Sequence, residues 1–220
     1  MQRIDAVIFD CDGVLIDSEI ISATMLKDAA ANYGVSLTID YILETYVGRA
    51  YPKVLADIQS QFNITLPDNF EAQYRERLLE ALERDLKLMP GIKSLISALD
   101  CPFCVATSSS PVRVARSLQL VDLWNTFAGR IYTASEVKHG KPAPDLFLHA
   151  AAKLGVAAEH CLVIEDSVAG IQAGLAASMH TVRFTGGTHI TDKNDPAGAD
   201  AVFDNFEHFY NHYPLLFRAQ

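Results

Sequence analysis

Two aspartates near the start of the chain have a spacing that suits phosphoryl transfer. Asp10 and Asp12 follow an apolar run at residues 4–9 and precede Gly13. A carboxylate can act as a nucleophile and form an aspartyl phosphate. A second carboxylate two residues further on can give a proton to the leaving group and later activate water. We therefore predict that Asp10 is the nucleophile and Asp12 the acid–base residue of a phosphoryl-transfer site.

Three later segments contribute groups that bind phosphate or a metal ion. They are Thr107 and Ser108 at the end of an apolar run, Lys141 in a Gly-Lys-Pro segment, and Glu165 and Asp166 after residues 161–164. Hydroxyl and backbone N–H groups at the start of a helix bind anions. Clustered carboxylates need a cation, and carboxylates with water suit Mg²⁺. We expect Asp10 and Asp166 to be side-chain ligands of Mg²⁺, and Lys141 to add a second positive charge.

Short apolar runs precede most of these groups and indicate buried strands. The predicted strands lie at residues 4–9, 103–107, 161–164, 181–184 and 201–203, with a weaker candidate at 130–133. Helical patterns separate the later runs, and strands that alternate with helices predict a parallel sheet covered on both faces. Ligands of such sheets bind beyond the carboxyl ends of the strands. We therefore expect the candidate groups to meet at one edge of the sheet.

A long helical stretch interrupts this alternation after the first strand. Residues 18–86 contain helical patterns and no strand-like run, which predicts a small helical domain above the end of the first strand. Asp17 and Glu19 flank its start, and we interpret them as hinge or helix-start residues rather than catalytic ones. Asp68 and Glu71 have the spacing of a capping box, which predicts the start of a long helix. The aromatic-rich residues 206–217 predict a final helix.

Four motifs, in order along the chain, resemble those of the haloacid dehalogenase-like hydrolases. They are Asp-Cys-Asp-Gly-Val at residues 10–14, Thr-Ser-Ser at 107–109, Gly-Lys-Pro at 140–142 and Ile-Glu-Asp-Ser at 164–167. The chain looks most similar to the sugar-phosphate phosphatases related to beta-phosphoglucomutase. The resemblance implies an α/β fold with a three-layer Rossmann-like core and a parallel sheet, formed by residues 1–17 and 87–220. It also implies that residues 18–86 form a small all-helical cap domain.

The resemblance also implies roles for individual residues. Asp10 would be the nucleophile, and Asp12 the acid–base residue whose backbone carbonyl also binds the metal. Thr107 and Lys141 would bind the phosphoryl group, with Ser108 beside them. Asp166 would bind Mg²⁺, with Glu165 as a further ligand or its neighbour. In the cap, Arg49 occupies a position where similar proteins contact the rest of the substrate; a solvated arginine is the alternative interpretation.

Two other functions remain open at this point. A phosphoglucomutase-type phosphotransferase would share these motifs, but the mutases of the family carry a lysine shortly after the second motif, where this chain has Ser110 and Pro111. A non-catalytic phospho-accepting or binding protein would also need an acidic cluster, a hydroxyl group and a lysine. Such signalling domains are about half this length, and they do not need the second acid, Asp12. A phosphatase that acts on a small phosphorylated metabolite fits the sequence better.

Composition limits the partners and the compartment. The net charge of −9 disfavours nonspecific binding to nucleic acid or to a membrane surface. No apolar run has the length of a membrane span, and acidic residues in the first dozen positions are unlike a secretory signal. The four cysteines do not suggest structural disulfides, so we expect a reduced, cytoplasmic protein. We expect a monomer or a weak homodimer.

Overall fold

The computed structural model describes residues 3–218, and its centre is a six-stranded sheet in which every pair of neighbouring strands is parallel. The order across the sheet is β5-β4-β1-β6-β7-β8. The strands are β1 Ala6–Phe9, β4 Phe103–Thr107, β5 Ile131–Thr133, β6 Cys161–Glu165, β7 His180–Phe184 and β8 Ala201–Phe203. All six coincide with predicted runs, so the predicted parallel sheet is confirmed.

Helices cover both faces of the sheet because successive strand residues point to opposite sides. In β1, Val7 and Phe9 belong to one buried apolar cluster, and Ala6 and Ile8 belong to another. The first cluster is completed by α5 Ile92–Ala98, α6 Pro111–Leu120, α7 Trp124–Phe127 and α10 Phe206–His212. The second is completed by α8 Asp145–Leu154 and α9 Val168–Ala176. These three layers are the Rossmann-like core expected from the sequence.

Two serines start helices just beyond the ends of strands. Ser110 accepts a hydrogen bond from the backbone N–H of Arg113 at the start of α6. Ser167 accepts one from Gly170 at the start of α9. Such serine caps satisfy N–H groups that have no partner within the helix. The caps fix where each helix starts, so only two residues separate β4 from its helix cap, and only one separates β6 from its helix cap, at this edge of the sheet.

Four helices lie between Asp17 and Lys87 in the chain and bury an apolar cluster of their own. They are α1 Glu19–Ala31, α2 Ile39–Tyr46, α3 Tyr51–Phe62 and α4 Phe70–Asp85. The chain enters this helical segment through β2 Ile16–Asp17 and leaves it through β3 Lys87–Leu88, and these two short strands pair with each other in antiparallel fashion. The sequence did not predict β2 and β3, because two residues are too few to show a periodic pattern.

Two details of the predicted helices are wrong. Helix α4 begins at Phe70, and its N-cap Asn69 makes no side-chain cap, so Asp68 and Glu71 do not form a capping box. Glu71 pairs instead with Arg75, one turn further along the same helix. The last helix ends at His212 rather than continuing to residue 217, because Pro214 cannot supply a helical N–H group; Pro214–Leu216 form a 3-10 turn.

Candidate active site

A buried lysine joins two of the predicted site residues at the carboxyl edge of the sheet. Asp10 directly follows β1, and Glu165 is the last residue of β6, the neighbouring strand. The Nζ atom of Lys141 donates to Asp10 Oδ1 at 2.7 Å and to Glu165 Oε1 at 2.6 Å. Burial opposes the positive charge of Lys141, but the two carboxylates outweigh it and raise the pKa of the ammonium group. Lys141 is therefore a permanent, buried cation between Asp10 and Glu165.

Glu165 uses both carboxylate oxygens to hold its neighbours. While Oε1 faces Lys141, Oε2 accepts hydrogen bonds from the backbone N–H groups of Asp166 and Ser167 and from the Ser167 hydroxyl. The α carbon of Gly170 lies so close that an added Cβ would stand 1.7 Å from Glu165 Oε1. Glu165 therefore orients Lys141 and the loop that carries Asp166.

Asp12 is held by three side chains, two of which the sequence did not single out. Its Oδ1 accepts hydrogen bonds from Ser18 Oγ and from Arg113 Nη2, both at 2.6 Å, and its Oδ2 accepts one from Ser109 Oγ at 2.6 Å. Burial opposes ionisation, but the Arg113 guanidinium and the two hydroxyls outweigh it and lower the pKa of Asp12. Asp12 is therefore a fixed and ionised carboxylate in this arrangement.

Asp166 lies opposite Asp10 and contacts a histidine that the sequence analysis missed. His189 Nε2 lies 2.8 Å from Asp166 Oδ2, and His189 is buried, with Nδ1 unpaired within residues 3–218. Gly13 approaches Asp166 from the loop after β1. With φ at +79°, Gly13 has a conformation that favours glycine, and a Cβ there would stand 2.2 Å from Asp166 Oδ2. Asp166 is thus tightly enclosed.

The carboxylates of this edge fit a hard divalent cation. Asp10, Glu165 and Asp166 each offer an oxygen, and these oxygens lie within 4.8 Å of one another. Burial raises the pKa values of Asp10 and Asp166, Lys141 lowers both, and the neighbouring carboxylates raise them further. A divalent cation would offset this cost, and oxygen donors of this type suit Mg²⁺. The donor set therefore matches the expected metal, with Asp10 and Asp166 as the freer ligands because Glu165 already serves four donors.

The hydroxyl groups after β4 lie between the sheet and the helical segment. Ser108 Oγ donates to the backbone carbonyl of Gly48 at 2.8 Å, and Thr107 Oγ1 accepts from the N–H of Ser109. Arg49, beside Gly48, forms an ion pair with Asp57 at 2.5 Å. Thr107 is close to the acidic cluster, whereas the hydroxyl of Ser108 is used to hold the helical segment.

A cavity of about 300 Å³ opens between the sheet edge and the helical segment. Its floor includes Asp10, Asp12 and Thr107, and its upper wall includes Arg49 and Glu19. Of the remaining predicted residues, Ser108 also lines it, whereas Lys141, Glu165 and Asp166 are buried and are not among its lining residues. Glu19 starts α1, as expected, but it also faces this cavity, which the sequence did not reveal.

Arg113 and His189 escaped the sequence analysis for an identifiable reason. Arg113 lies inside α6 and His189 in the loop after β7, so neither directly follows an apolar run. The periodicity of α6 places Val114 and Leu118 in the core but assigns nothing to the residue before them. The sequence offers one signal for Arg113: it lies one turn after the serine run that follows β4.

The protein has an α/β fold of the kind found in enzymes. At one edge of its sheet lie a buried lysine, a cluster of carboxylates and a cavity covered by helices. The sequence model of the haloacid dehalogenase-like hydrolases matches residues 4–178, and the chain belongs to this family. The predicted family is thereby confirmed, and the protein is a hydrolase.

Relatives and solved structures align with most of the chain. It is 28% identical to the 6-phosphogluconate phosphatase of Escherichia coli over 190 residues, 86% of each chain. It is 33% identical to hexitol phosphatase A of the same organism over 197 residues, 82% of this chain and 83% of that one. A HAD family hydrolase of Deinococcus radiodurans, crystallised with bound phosphate and sodium, is 30% identical, covers both chains fully and superimposes with a TM-score of 0.75.

Proposed function

We propose that this protein is a magnesium-dependent phosphatase, a phosphoric monoester hydrolase that acts on a small phosphorylated metabolite such as a sugar or sugar-acid phosphate. The proposal depends above all on one observation: Asp10 stands 2.7 Å from the buried ammonium group of Lys141, with Asp166 across from it. The relatives named 6-phosphogluconate phosphatase and hexitol phosphatase A support the proposed substrate class. The phosphate bound by the Deinococcus hydrolase supports phosphate as the group recognised.

The chemistry is assigned to two aspartates. A carboxylate oxygen of Asp10 attacks phosphorus, the bond from phosphorus to the ester oxygen breaks, and the leaving oxygen takes a proton from Asp12. Water then attacks phosphorus and gives its proton to Asp12, which releases inorganic phosphate and restores Asp10. Because Arg113 favours the ionised form, Asp12 must gain its first proton as the substrate binds, and a phosphate dianion nearby promotes this.

Other residues hold the phosphoryl group in place. Lys141 and the Thr107 hydroxyl bind its oxygens, and Glu165 fixes Lys141 rather than acting in the reaction itself. Mg²⁺ would be held by Asp10 and Asp166 with the Asp12 carbonyl, and it would supply positive charge against the carboxylates and the phosphate. Arg49 lines the cavity, and in this proposal it exchanges its ion pair with Asp57 for a contact with the distal part of the substrate.

We propose that residues 18–86 act as a cap domain, with residues 1–17 and 87–220 as the catalytic core. The helical segment covers the cavity, and it contacts the core through Ser108 and through a hydrogen bond from Arg113 Nη2 to Ser22 Oγ at 2.8 Å. A covered cavity of about 300 Å³ matches the size of a small metabolite rather than a phosphoprotein. Water is excluded from the site when such a cap is closed.

Composition and thiol chemistry support the cytoplasm as the proposed cellular setting. The four cysteines carry free thiols, which fits a reducing compartment such as the cytoplasm. Within residues 3–218, no helix combines the length and the apolarity that crossing a membrane requires. We retain a monomer or weak homodimer without a nucleic-acid partner as the expected state.

A phosphate-release screen tests the proposal. Purified protein with Mg²⁺ is assayed against a panel of phosphorylated sugars, sugar acids and polyols, next to Asp10→Asn and Asp28→Asn. Asp28 is an exposed aspartate of α1 and serves as the matched control. We expect release from at least one ester, a loss of at least about 10³-fold for Asp10→Asn with an unchanged circular dichroism spectrum, and no loss for Asp28→Asn. Isomerisation without phosphate release would indicate a mutase, and no turnover of any ester would indicate a binding protein.

A further inference from the structure

Glu19 places a carboxyl group without a partner in the wall of the active-site cavity. It is the first residue of α1 and lines the same cavity as Asp10 and Asp12. Across residues 3–218, its carboxyl group has neither a hydrogen-bond nor an ion-pair partner. Glu19 is half-buried, so its carboxyl group opens onto the cavity and can take its hydrogen-bond partner from whatever fills the cavity.

Two structural explanations do not account for this placement. An acidic residue in the first turn of a helix stabilises the helix dipole, but this role does not require the residue to face the cavity that holds Asp10 and Asp12. A metal ligand would have to meet the other carboxylates, yet the described group whose oxygens converge consists of Asp10, Glu165 and Asp166. Glu19 is thus left with the contents of the cavity as its partner.

The charges around Glu19 determine which kind of partner it can take. Burial raises the pKa of Glu19 to about 8, and the negative charges of Asp12 and Asp166 contribute, while Arg113 and His189 oppose the shift. In the metal-free protein this shift favours the neutral carboxylic acid. A neutral carboxylic acid donates one hydrogen bond and accepts others, so it can pair with a hydroxyl group, which also donates and accepts. Without a charge, it does not repel a phosphate ester.

The neighbourhood of Asp12 shows which part of a substrate would meet Glu19. The preceding residue, Ser18, donates directly to Asp12 Oδ1. In the proposed reaction Asp12 gives a proton to the leaving ester oxygen. The substrate carbon attached to this oxygen would therefore lie beside the first turn of α1. We propose that Glu19 is a specificity-determining residue that hydrogen-bonds a hydroxyl group on the substrate carbons next to the scissile ester. This inference rests on the proposed phosphatase function, and it selects polyhydroxylated phosphate esters over alkyl phosphates.

A double comparison of enzyme and substrate tests the proposal. The substrates are a hexitol 6-phosphate and n-hexyl phosphate, which have the same number of carbons and differ in hydroxyl groups. The enzymes are the wild type, Glu19→Ala, Glu19→Gln and Glu80→Gln, an exposed glutamate of α4 that serves as the control. The measured quantity is the ratio of kcat/KM for the hexitol ester to kcat/KM for the hexyl ester.

We expect the wild type to prefer the hexitol ester, and Glu19→Ala to reduce this preference by about tenfold or more. Glu19→Gln retains part of the preference because an amide also donates and accepts, and Glu80→Gln retains all of it. Glu19→Ala lowering kcat/KM equally for both esters, or leaving the ratio unchanged, would mean a structural role and would overturn the inference. A wild type that prefers the hexyl ester would also overturn it. A wild type inactive on the whole metabolite panel would instead contradict the phosphatase function.

Discussion

Arg113 is the side chain that connects the proposed acid–base residue to the helical segment. A single nitrogen, Nη2, donates both to Asp12 and to Ser22 of α1. The guanidinium group therefore sets the direction of the Asp12 carboxylate and, at the same time, the position of the first turns of α1. An aspartate that must meet a leaving oxygen within hydrogen-bond distance depends on such orientation.

Replacing Arg113 tests this positioning role. We expect Arg113→Met to lower kcat by about tenfold to a hundredfold with a smaller effect on KM, because the nucleophile and the phosphate-binding residues stay in place. Arg116→Met is the matched control: Arg116 lies on the same helix, is exposed, and pairs with Glu83 at 2.5 Å. Steady-state kinetics with the preferred ester of the screen give both parameters. Equal kinetics for the two variants would remove Arg113 from the proposed mechanism.

At the scale of the elements, the loop between α2 and α3 touches the sheet at two strand ends. The carbonyl of Gly48 accepts a hydrogen bond from Ser108 after β4, and its α carbon lies against Ser167 after β6. Gly48 has a φ of +78°, and a Cβ there would stand 2.1 Å from Ser167 Oγ. Ser167 cannot yield easily, because its hydroxyl caps α9 and binds Glu165.

A pair of glycine substitutions isolates this contact. Gly48→Ala and Gly34→Ala both place alanine at a φ of +78°, but nothing lies within 4 Å of a Cβ at Gly34. Both variants should lose about 1 kcal/mol of unfolding free energy from the left-handed backbone. We expect only Gly48→Ala to lower kcat/KM as well, by about tenfold or more, because the helical segment is pushed from the sheet. Urea unfolding and kinetics on both variants separate the two effects, and an active Gly48→Ala enzyme would contradict the contact's importance.

The elements also show what could be predicted from sequence and why the rest could not. The strand ends were predictable because apolar runs are long enough to reveal buried strands, and Asp10, Thr107 and Asp166 follow such runs directly. Arg113 and His189 reach the site from a helix interior and from a loop, where only the packing of α6 and the path of the chain after β7 decide which side chain faces inward. For the same reason, the sequence pattern placed Glu19 at the start of a helix but did not indicate that Glu19 faces the cavity.

At the scale of the whole molecule, the carboxylate cluster opposes stability. Asp166 is buried, and its pKa is raised mainly by burial and by Glu165. Between the unfolded pKa and the raised folded pKa, the folded form holds a proton that the unfolded chain has released, so metal-free protein loses stability as the pH rises through this range. The loss is absent below the unfolded pKa of about 3.9.

Thermal unfolding with a chelator tests this balance. We expect Asp166→Asn to melt above the wild type at pH 8, and the difference to shrink as the pH is lowered towards 4. With excess Mg²⁺ the order should reverse, because the wild type gains about 2.7 kcal/mol when the ion is present at 100 times its dissociation constant, and the variant gains less. Melting curves that are identical for both proteins with and without Mg²⁺ would place Asp166 outside the metal site.

The pairing of β2 with β3 brings both chain crossings of the helical segment to one place. Asp17 stands opposite Lys87, and Ile16 opposite Leu88, so the strand that leaves the core and the strand that returns to it run side by side. None of the six sheet strands is interrupted when the residues between these crossings are exchanged. The four helices of the proposed cap can therefore be exchanged as one unit through a single junction, with the strands that carry the proposed catalytic residues left intact.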